Sequence, residues 1–156
     1  MNAERMGKKE VAKILEELKE RFGFKPDAFE GYDFYRNAKD KIFIVGKEAS
    51  LATRAYPKRL TNAGMLFARQ DATLKPSSNM IQLFGRAVHK NVLEIDRVKA
   101  RIYVEGFDID VETPKNVKDG YVILKYEGNP MGCGLLKEGQ VKNMIPKAKR
   151  MRLKFI

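Results

Sequence analysis

The fold class follows first from the sequence GYVILKYEGNPMGCGLL, which occupies residues 120–136. Gly120–Tyr126 combines β-branched and aromatic residues, and this composition predicts a strand. Residues 127–130 are typical of a turn. The strand that follows the turn contains Gly132 and Gly134, which suit a β-bulge or a close backbone approach. The stretch therefore predicts two strands joined by a tight turn.

Short elements continue on both sides of these strands. Residues 91–95, 107–111 and 141–145 have the apolar or alternating pattern of further strands. Residues 96–105 have helical spacing, and Asp96 suits the N-cap of that helix. The apolar face of the helix is expected to contain Val98, Ile102 and Tyr103. One helix among five or six short strands predicts a small, mostly β barrel.

The first half of the chain predicts a different kind of unit. Residues 5–22 place apolar side chains at helical spacing, and Gly23 follows as a terminating residue. A hairpin is predicted over residues 32–45, a strand over 64–69 and a short helix over 77–85. The chain is therefore predicted to be an α+β protein, with a small N-terminal α/β unit packed on a C-terminal β pseudobarrel.

The boundary between the two units is expected near residues 86–90. This places an N-terminal α+β domain at residues 1–88 and a second domain at residues 89–156. Neither a Gly/Ser linker nor a change in composition marks the junction. We therefore expect the two domains to pack together.

Composition excludes several classes of protein. The chain has 156 residues, of which 44% are hydrophobic and 33% charged, and this is enough apolar material for a core. No apolar run approaches the roughly 20 residues of a membrane span, and the N-terminus has no apolar signal core. The single cysteine, Cys133, fits a reducing compartment. We expect a cytoplasmic protein with no membrane partner.

Few residues are candidates for catalysis. The sequence contains no Gly-x-Gly-x-x-Gly, Walker or Gly-x-Ser-x-Gly motif. Cys133 has one histidine, His89, as a partner, so burial in the core is favoured over a nucleophilic role. Four carboxylates between residues 105 and 112 are interpreted as a solvated strand face, with a divalent-ion or acid–base site as the alternative. We expect no catalytic residue, no metal site and no cofactor.

Positive charge is the strongest signal in the composition. Lys and Arg number 31 against 20 Asp and Glu, for a formal net charge of +11. One basic group lies at the C-terminal end and consists of Lys137, Lys142, Lys147, Lys149, Arg150, Arg152 and Lys154. A second group consists of Arg69, Lys75, Arg86 and Lys90. If the two groups face each other, they form one surface for nucleic acid. An exposed tail with scattered lysines is the alternative.

The second half of the chain resembles a PUA domain, the small pseudobarrel found on many RNA-modifying enzymes. The resemblance covers residues 90–145. It rests on the strand KNVLE, the helix 96–105 with its exit GFDI, the strand GYVILKY and the sequence GNPMGCG at 128–134. It implies a PUA-type pseudobarrel in the second domain.

The match extends upstream to the C-terminal RNA-binding region of Sun/Fmu-type RNA cytosine-5 methyltransferases. It rests on MLFAR at 65–69, KPS at 75–77, QLFG at 82–85 and KNMIPK at 142–147. The first half then resembles the pre-PUA domain of those enzymes. Their catalytic domain has no counterpart in this sequence, and Cys133 matches neither of their catalytic cysteine contexts. The resemblance therefore implies RNA binding without methyl transfer.

The implied function is recognition of structured rRNA or tRNA in RNA modification or ribosome assembly. A separate RNA methyltransferase or a ribosome-assembly factor is the implied protein partner. The predicted RNA-binding residues are Arg69, Lys75, Arg86, Lys90, Asn91, Arg97, Arg101, Lys142, Asn143, Lys147, Lys149, Arg150 and Arg152. The cations are expected to bind phosphates, and Asn143 a 2′-hydroxyl or a base edge. The alternative is a protein–protein interaction module of an RNA-processing complex, with an exposed apolar patch.

Overall fold

The computed structural model describes residues 3–55 and 64–150. Two compact units, Met1–Met80 and Ile81–Ile156, each contain a five-stranded sheet. Helices and strands occur in both units, so the predicted α+β class is confirmed. The division between the compact units falls a few residues before positions 86–90. No helix within the described ranges has the length and apolarity that a membrane crossing requires.

The first unit is an antiparallel sheet whose strands pair in chain order. Its elements are β1 (Ala3–Arg5), α1 (Lys8–Phe22), a 3-10 turn (Pro26–Phe29), β2 (Tyr32–Asn37), β3 (Lys41–Gly46), α2 (Lys47–Ala55), β4 (Met65–Gln70), β5 (Leu74–Pro76) and α3 (Ser78–Phe84). Strand β1 and helix α2 are missing from the sequence-based prediction. The former is three residues long and mostly polar, and Leu51 is the single apolar residue of the latter that is larger than alanine.

Helix α1 packs on this sheet through the stripe that its periodicity predicts. The buried residues of the stripe are Ile14, Leu18 and Phe22. Gly23 ends the helix at a φ of 84°, where its N–H donates to the carbonyl of Lys19 at 2.9 Å. The helix begins at Lys8 rather than at residue 5, because β1 occupies the preceding residues as the partner of β2.

The second unit is a mixed sheet with the strand order β6-β8-β9-β10-β7. Its elements after α3 are a 3-10 turn (Gly85–Ala87), β6 (Val92–Glu94), α4 (Arg97–Val104), β7 (Ile109–Asp110), β8 (Gly120–Tyr126), β9 (Asn129–Lys137), β10 (Gln140–Asn143) and a 3-10 turn (Lys147–Lys149). Strand β6 runs parallel to β8, and the other pairs are antiparallel. The predicted strand–turn–strand at residues 120–136 is therefore confirmed as the β8–β9 hairpin.

Helix α4 packs on the sheet with a face different from the predicted one. Ala100 and Tyr103 are buried, whereas Val98 is 66% exposed and Ile102 is 36% exposed. Five residues separate Val98 from Tyr103, and at about 100° per residue their side chains point about 140° apart. The prediction that Val98, Ile102 and Tyr103 share one buried face is therefore wrong, because the small Ala100 belongs to that face instead.

The two glycines of β9 have different structural roles. Strands β8 and β9 change register where Leu124 pairs with Gly132 and Lys125 pairs with Pro130, so Met131 is the additional residue of a β-bulge. Gly134 faces the side chain of Val141 on β10, and a Cβ at position 134 would collide with the Cγ1 of that valine. The glycine is therefore required by packing inside the core.

Candidate nucleic-acid interface

Helix α4 presents two of the predicted RNA-binding arginines. The side chain of Asp96 caps the helix by accepting a 2.8 Å hydrogen bond from the N–H of Lys99. Arg97 is exposed in the first turn, and Arg101 is half-buried one turn later. Residues four apart lie on one side of a helix, so both arginines lie along the same edge of the solvent-facing surface.

The C-terminal end of α4 exposes an aromatic ring next to this edge. Gly106 has a φ of 101° and donates to the carbonyl of Tyr103, and the N–H of Phe107 donates to the carbonyl of Ile102. This pair of hydrogen bonds is a Schellman motif, in which residues corresponding to Phe107 and Ile102 come close together. Phe107 is 63% exposed. We call Val98, Ile102 and Phe107 the α4 apolar cluster.

The exposed position of Phe107 corrects the strand predicted over residues 107–111. The strand that forms is β7, which contains Ile109 and Asp110. Phe107 precedes it, because the terminating motif of the helix uses its backbone N–H. The sequence analysis therefore missed Phe107 as a candidate contact residue. The sequence did offer one signal, Gly106, because glycine is common at the C′ position of a Schellman motif, directly before the residue that corresponds to Phe107.

Asn143 joins β10 to the end of α4. Its side-chain amide donates to the carbonyls of Tyr103 at 2.6 Å and Phe107 at 3.0 Å, and its Oδ1 accepts from the N–H of Ile145 at 2.9 Å. The backbone N–H of Asn143 donates to Asp108 at 2.8 Å. The side chain is buried, and both of its amide hydrogens bind carbonyls. These bonds give Asn143 a role within the fold, and its contact with RNA stays a prediction.

This junction brings the basic C-terminal segment to the end of α4. Lys147 and Lys149 lie in an exposed 3-10 turn. The Nε of Arg150 donates to the carbonyl of Ile145 at 3.1 Å, and its side chain lies so close to Gly106 that a Cβ there would collide with it. The basic segment therefore lies at the C-terminal end of the helix that carries Arg97 in its first turn and Arg101 one turn later. We call Arg97, Arg101, Lys147, Lys149 and Arg150 the α4–tail surface.

Two predicted residues of the second unit lie elsewhere. Arg86 donates through Nη2 to the side chain of Asn129 at 2.8 Å, at the start of β9. Asn143 pairs with Gly134, five residues further along that strand, which corresponds to about 16 Å. Lys142 is exposed on the face of β10 opposite to Asn143. The structure therefore separates Arg86 from the α4–tail surface.

Two predicted RNA-binding residues, Lys90 and Asn91, are neighbours before β6 but differ in burial. Lys90 is exposed. Asn91 is buried with a φ of 51°, and its Oδ1 accepts a 2.8 Å hydrogen bond from the N–H of Lys118. Asn91 thus holds the segment before β8 in place. The contact of Asn91 with RNA, like that of Asn143, stays a prediction.

The remaining predicted residues lie outside the second unit or outside the described residues. Arg69 and Lys75 belong to the first unit, where they face each other across β4 and β5. Arg69 also forms an exposed ion pair of 3.4 Å with Asp71. Arg152 lies outside the described residues.

One lysine of the second unit, Lys125, is buried. Lys125 is buried on β8, and its amine donates to the carbonyls of Arg86 at 2.9 Å and Val88 at 2.7 Å. Burial lowers the pKa of this amine, and the carboxylate of Glu94 partly opposes the shift. Residues 121–124 of β8 are all apolar, so the sequence shows no alternation of apolar and polar residues from which the buried side of the strand could be read. The sequence analysis therefore did not identify the structural role of Lys125.

The cysteine is part of the core. Cys133 is 2% exposed, and its carbonyl accepts a hydrogen bond from the hydroxyl of Tyr103. Burial, with a smaller contribution from the neighbouring Cys133, raises the pKa of the Tyr103 phenol far above its ordinary value. His89 lies on the surface. These positions agree with the interpretation of Cys133 as a packing residue.

Comparison with known proteins agrees with the geometry of the second unit. Residues 90–151 match the family described as the Methyltransferase RsmF PUA domain. No curated protein matches the chain.

Two solved structures resemble the chain over most of its length. One is a hypothetical protein from the hyperthermophilic archaeon Pyrococcus horikoshii OT3, with a TM-score of 0.57 and 15% identity over 96% of this chain and 86% of that chain. The other is a PUA domain from Aeropyrum pernix K1 in a tartrate complex, with a TM-score of 0.55 and 14% identity over 94% of this chain and 86% of that chain. At these identities the likeness shows a shared fold. Residues 90–151 are therefore similar to the PUA domain of RsmF-type methyltransferases, and the chain as a whole shares its fold with these two structures.

Proposed function

We propose that this chain is a non-catalytic RNA-binding protein that recognises structured rRNA or tRNA in RNA modification or ribosome assembly. PUA domains generally bind RNA, and residues 90–151 match one. The observation that carries the proposal is the α4–tail surface, in which Arg150 of the basic C-terminal segment lies against Gly106, at the end of the helix that carries Arg97 and Arg101. The site of action is proposed to be the cytoplasm, with a separate methyltransferase or ribosome-assembly factor as protein partner.

The proposed mechanism combines phosphate binding with base stacking. Arg and Lys side chains of the α4–tail surface bind phosphates, which sets the position of the RNA without reading its sequence. Phe107 is exposed beside them and offers a ring face to an unpaired base. Lys90, Lys142 and Arg152 extend the proposed contacts of the second domain. Arg86 and the Arg69–Lys75 pair are proposed as further phosphate contacts.

The decisive experiment measures the affinity for structured rRNA and tRNA fragments at about 50 to 300 mM salt. We expect the logarithm of the affinity to fall by roughly 0.7 to 0.9 per contacted phosphate for each logarithmic unit of salt. The triple variant Arg97→Glu, Arg101→Glu, Lys147→Glu should weaken binding by about tenfold or more and flatten this slope. Affinity that does not depend on salt would overturn the proposal.

A matched control distinguishes the effect of changing the α4–tail surface from the effect of lowering the net charge. Lys13→Glu, Lys19→Glu and Lys25→Glu together change the net charge by the same amount at exposed positions of the first unit. These substitutions should leave most of the affinity intact. Equal losses in both triple variants would show that the α4–tail surface has no special role. Methyl transfer from S-adenosylmethionine to RNA by the isolated chain would contradict the non-catalytic part of the proposal.

A second candidate function is docking to a protein partner. It is favoured by the α4 apolar cluster, in which Val98 and Phe107 are both more than 60% exposed. Exposed apolar residues that adjoin one another are a mark of protein interfaces. The cluster lies beside the arginines, so substitution of Phe107 distinguishes an RNA contact from a protein contact.

A further inference from the structure

A pocket of about 320 Å³ lies within the first unit, where the proposed function has no role for it. It is bordered by β1, α1, the 3-10 turn at Pro26–Phe29, β2 and the start of α2. Most of its wall is apolar, with Val11 and Leu15 from the helix and Phe29 and Phe34 from the opposite side. A volume of this size is at the lower end of the range for small-ligand sites.

The polar side of the pocket is a fixed carboxylate. Asp33 is 9% exposed and lines the pocket. Its Oδ1 accepts from Arg5 at 3.3 Å, and its Oδ2 accepts from the hydroxyl of Ser50 at 2.6 Å. The hydroxyl of Tyr35 lies 2.5 Å from that of Ser50. The exposed Arg5 and the buried Ser50 bind one oxygen each and hold the carboxylate in one orientation, so it presents a fixed hydrogen-bonding group in an apolar wall.

The rim of the pocket is positively charged. Lys8 and Lys47 line it, are exposed, and form no ion pair within the described residues. Arg5 neutralises Asp33 through their ion pair. Glu30 is the remaining acid of the lining, so two lysines face one carboxylate. The rim therefore favours an anionic group next to the apolar interior.

We propose that this pocket receives one unpaired base of the bound RNA. A nucleotide has apolar faces, a hydrogen-bonding edge and an anionic phosphate, and the pocket provides a counterpart to each. The base packs between α1 and Phe29 with its edge toward Asp33, and the adjoining phosphate binds Lys8 and Lys47. This inference rests on the proposed RNA-binding function and adds a preference for RNA that carries an unpaired nucleotide.

The experiment compares two RNA hairpins that differ by one bulged nucleotide. The full chain should bind the bulged hairpin about tenfold more tightly than the fully paired one, as expected when one base gains a stacking site. Ala12→Trp fills the pocket from an exposed position of α1 and should abolish this preference. Ala28→Trp is the matched control, because Ala28 is exposed in the same unit and is not part of the lining.

Two charge-reversal variants provide a second test, and its outcome does not depend on whether the protein tolerates the introduced tryptophan. Lys8→Glu should reduce the preference for the bulged hairpin, whereas Lys9→Glu, at the neighbouring exposed position outside the pocket, should retain it. Circular dichroism of each variant confirms folding.

The outcomes separate this inference from the proposed function. Equal, salt-dependent affinity for both hairpins would overturn the pocket and leave the RNA-binding function intact. Equal effects of Lys8→Glu and Lys9→Glu on the preference for the bulged hairpin would lead to the same conclusion. Failure to bind either hairpin would overturn the function and the pocket together.

Discussion

The side-chain amide of Asn143 donates a 2.6 Å hydrogen bond to the main-chain carbonyl of Tyr103. The bond joins the last residue of β10 to the C-terminal turn of α4, and a second bond from the same amide reaches Phe107. Because the basic segment follows Asn143 directly, this contact sets where the segment leaves the sheet. A polar residue in a basic stretch thus determines the position of the cations around it.

Asn143→Ala should destabilise the second unit. The substitution leaves the carbonyls of Tyr103 and Phe107 without this donor, and we expect a loss of about 2 to 3 kcal/mol in the free energy of unfolding. Urea unfolding followed by circular dichroism measures the loss. Lys142→Ala, at the exposed neighbouring position, should change the stability by less than about 0.5 kcal/mol. Wild-type stability in Asn143→Ala would contradict the structural role.

Gly134→Ala should destabilise the protein, and the second substitution Val141→Ala should recover part of the loss. The added Cβ collides with Val141, and overpacking of this kind costs about 1 to 3 kcal/mol. Val141→Ala removes the colliding methyl groups, so the double variant should lose at least about 1 kcal/mol less than the sum of the single losses. A double-mutant cycle from urea unfolding tests this, and additive losses would show that the two residues do not compete for space.

Tyr103→Phe should alter the alkaline stability of the protein. Burial raises the pKa of the folded phenol, whereas the unfolded phenol ionises near pH 10. Above that pH unfolding releases a proton, so rising pH favours the unfolded wild type by up to about 1.4 kcal/mol per pH unit. The Tyr103 contribution is therefore fully present below about pH 10 and is lost above it.

The measurement compares urea unfolding of the wild type and Tyr103→Phe between about pH 8 and pH 11. At the lower pH the variant should be about 1 to 2 kcal/mol less stable, because it lacks the hydrogen bond to Cys133. The difference should approach zero near the upper pH. A constant difference over this range would mean that the phenol ionises alike in both states.

Phe107→Ala should distinguish an RNA surface from a protein surface. The side chain is 63% exposed, so its removal should change stability by less than about 0.5 kcal/mol. If the ring stacks on a base, RNA affinity should fall by about tenfold. Leu83→Ala removes a similarly exposed apolar side chain, at 67% exposure, and is the control. Unchanged RNA affinity in Phe107→Ala would favour the protein-docking function of the α4 apolar cluster.

Local patterns allowed much of the secondary structure to be predicted. The 3.6-residue period identified the buried stripe of α1, since one packed face repeats at that spacing. The turn at residues 127 and 128 has positive φ angles at both positions, and Glu127–Gly128 joins β8 to β9 as predicted. Asp96 caps α4 as expected, because capping depends on a side chain and backbone only three residues apart.

The candidate site was predictable only in part. The arginines and lysines of the α4–tail surface were identified by type, because cations near the surface of a basic protein are visible in composition. The internal roles of Asn91, Asn143 and Lys125 were not, since each depends on partners between 27 and 40 residues away in sequence. Polar side chains at such positions look the same in sequence whether they face solvent or the protein.

The α+β class and the hairpins could be predicted because periodicity and turn chemistry depend on residues close together in the chain, and the basic character follows from composition alone. Tertiary structure alone decided which face of α4 is buried, which asparagines hold the fold together and where the cations gather. These outcomes depend on Ala100 fitting against the sheet, on buried carbonyls requiring donors and on the contact of Arg150 with Gly106. Such requirements exist only once distant segments have been brought into contact.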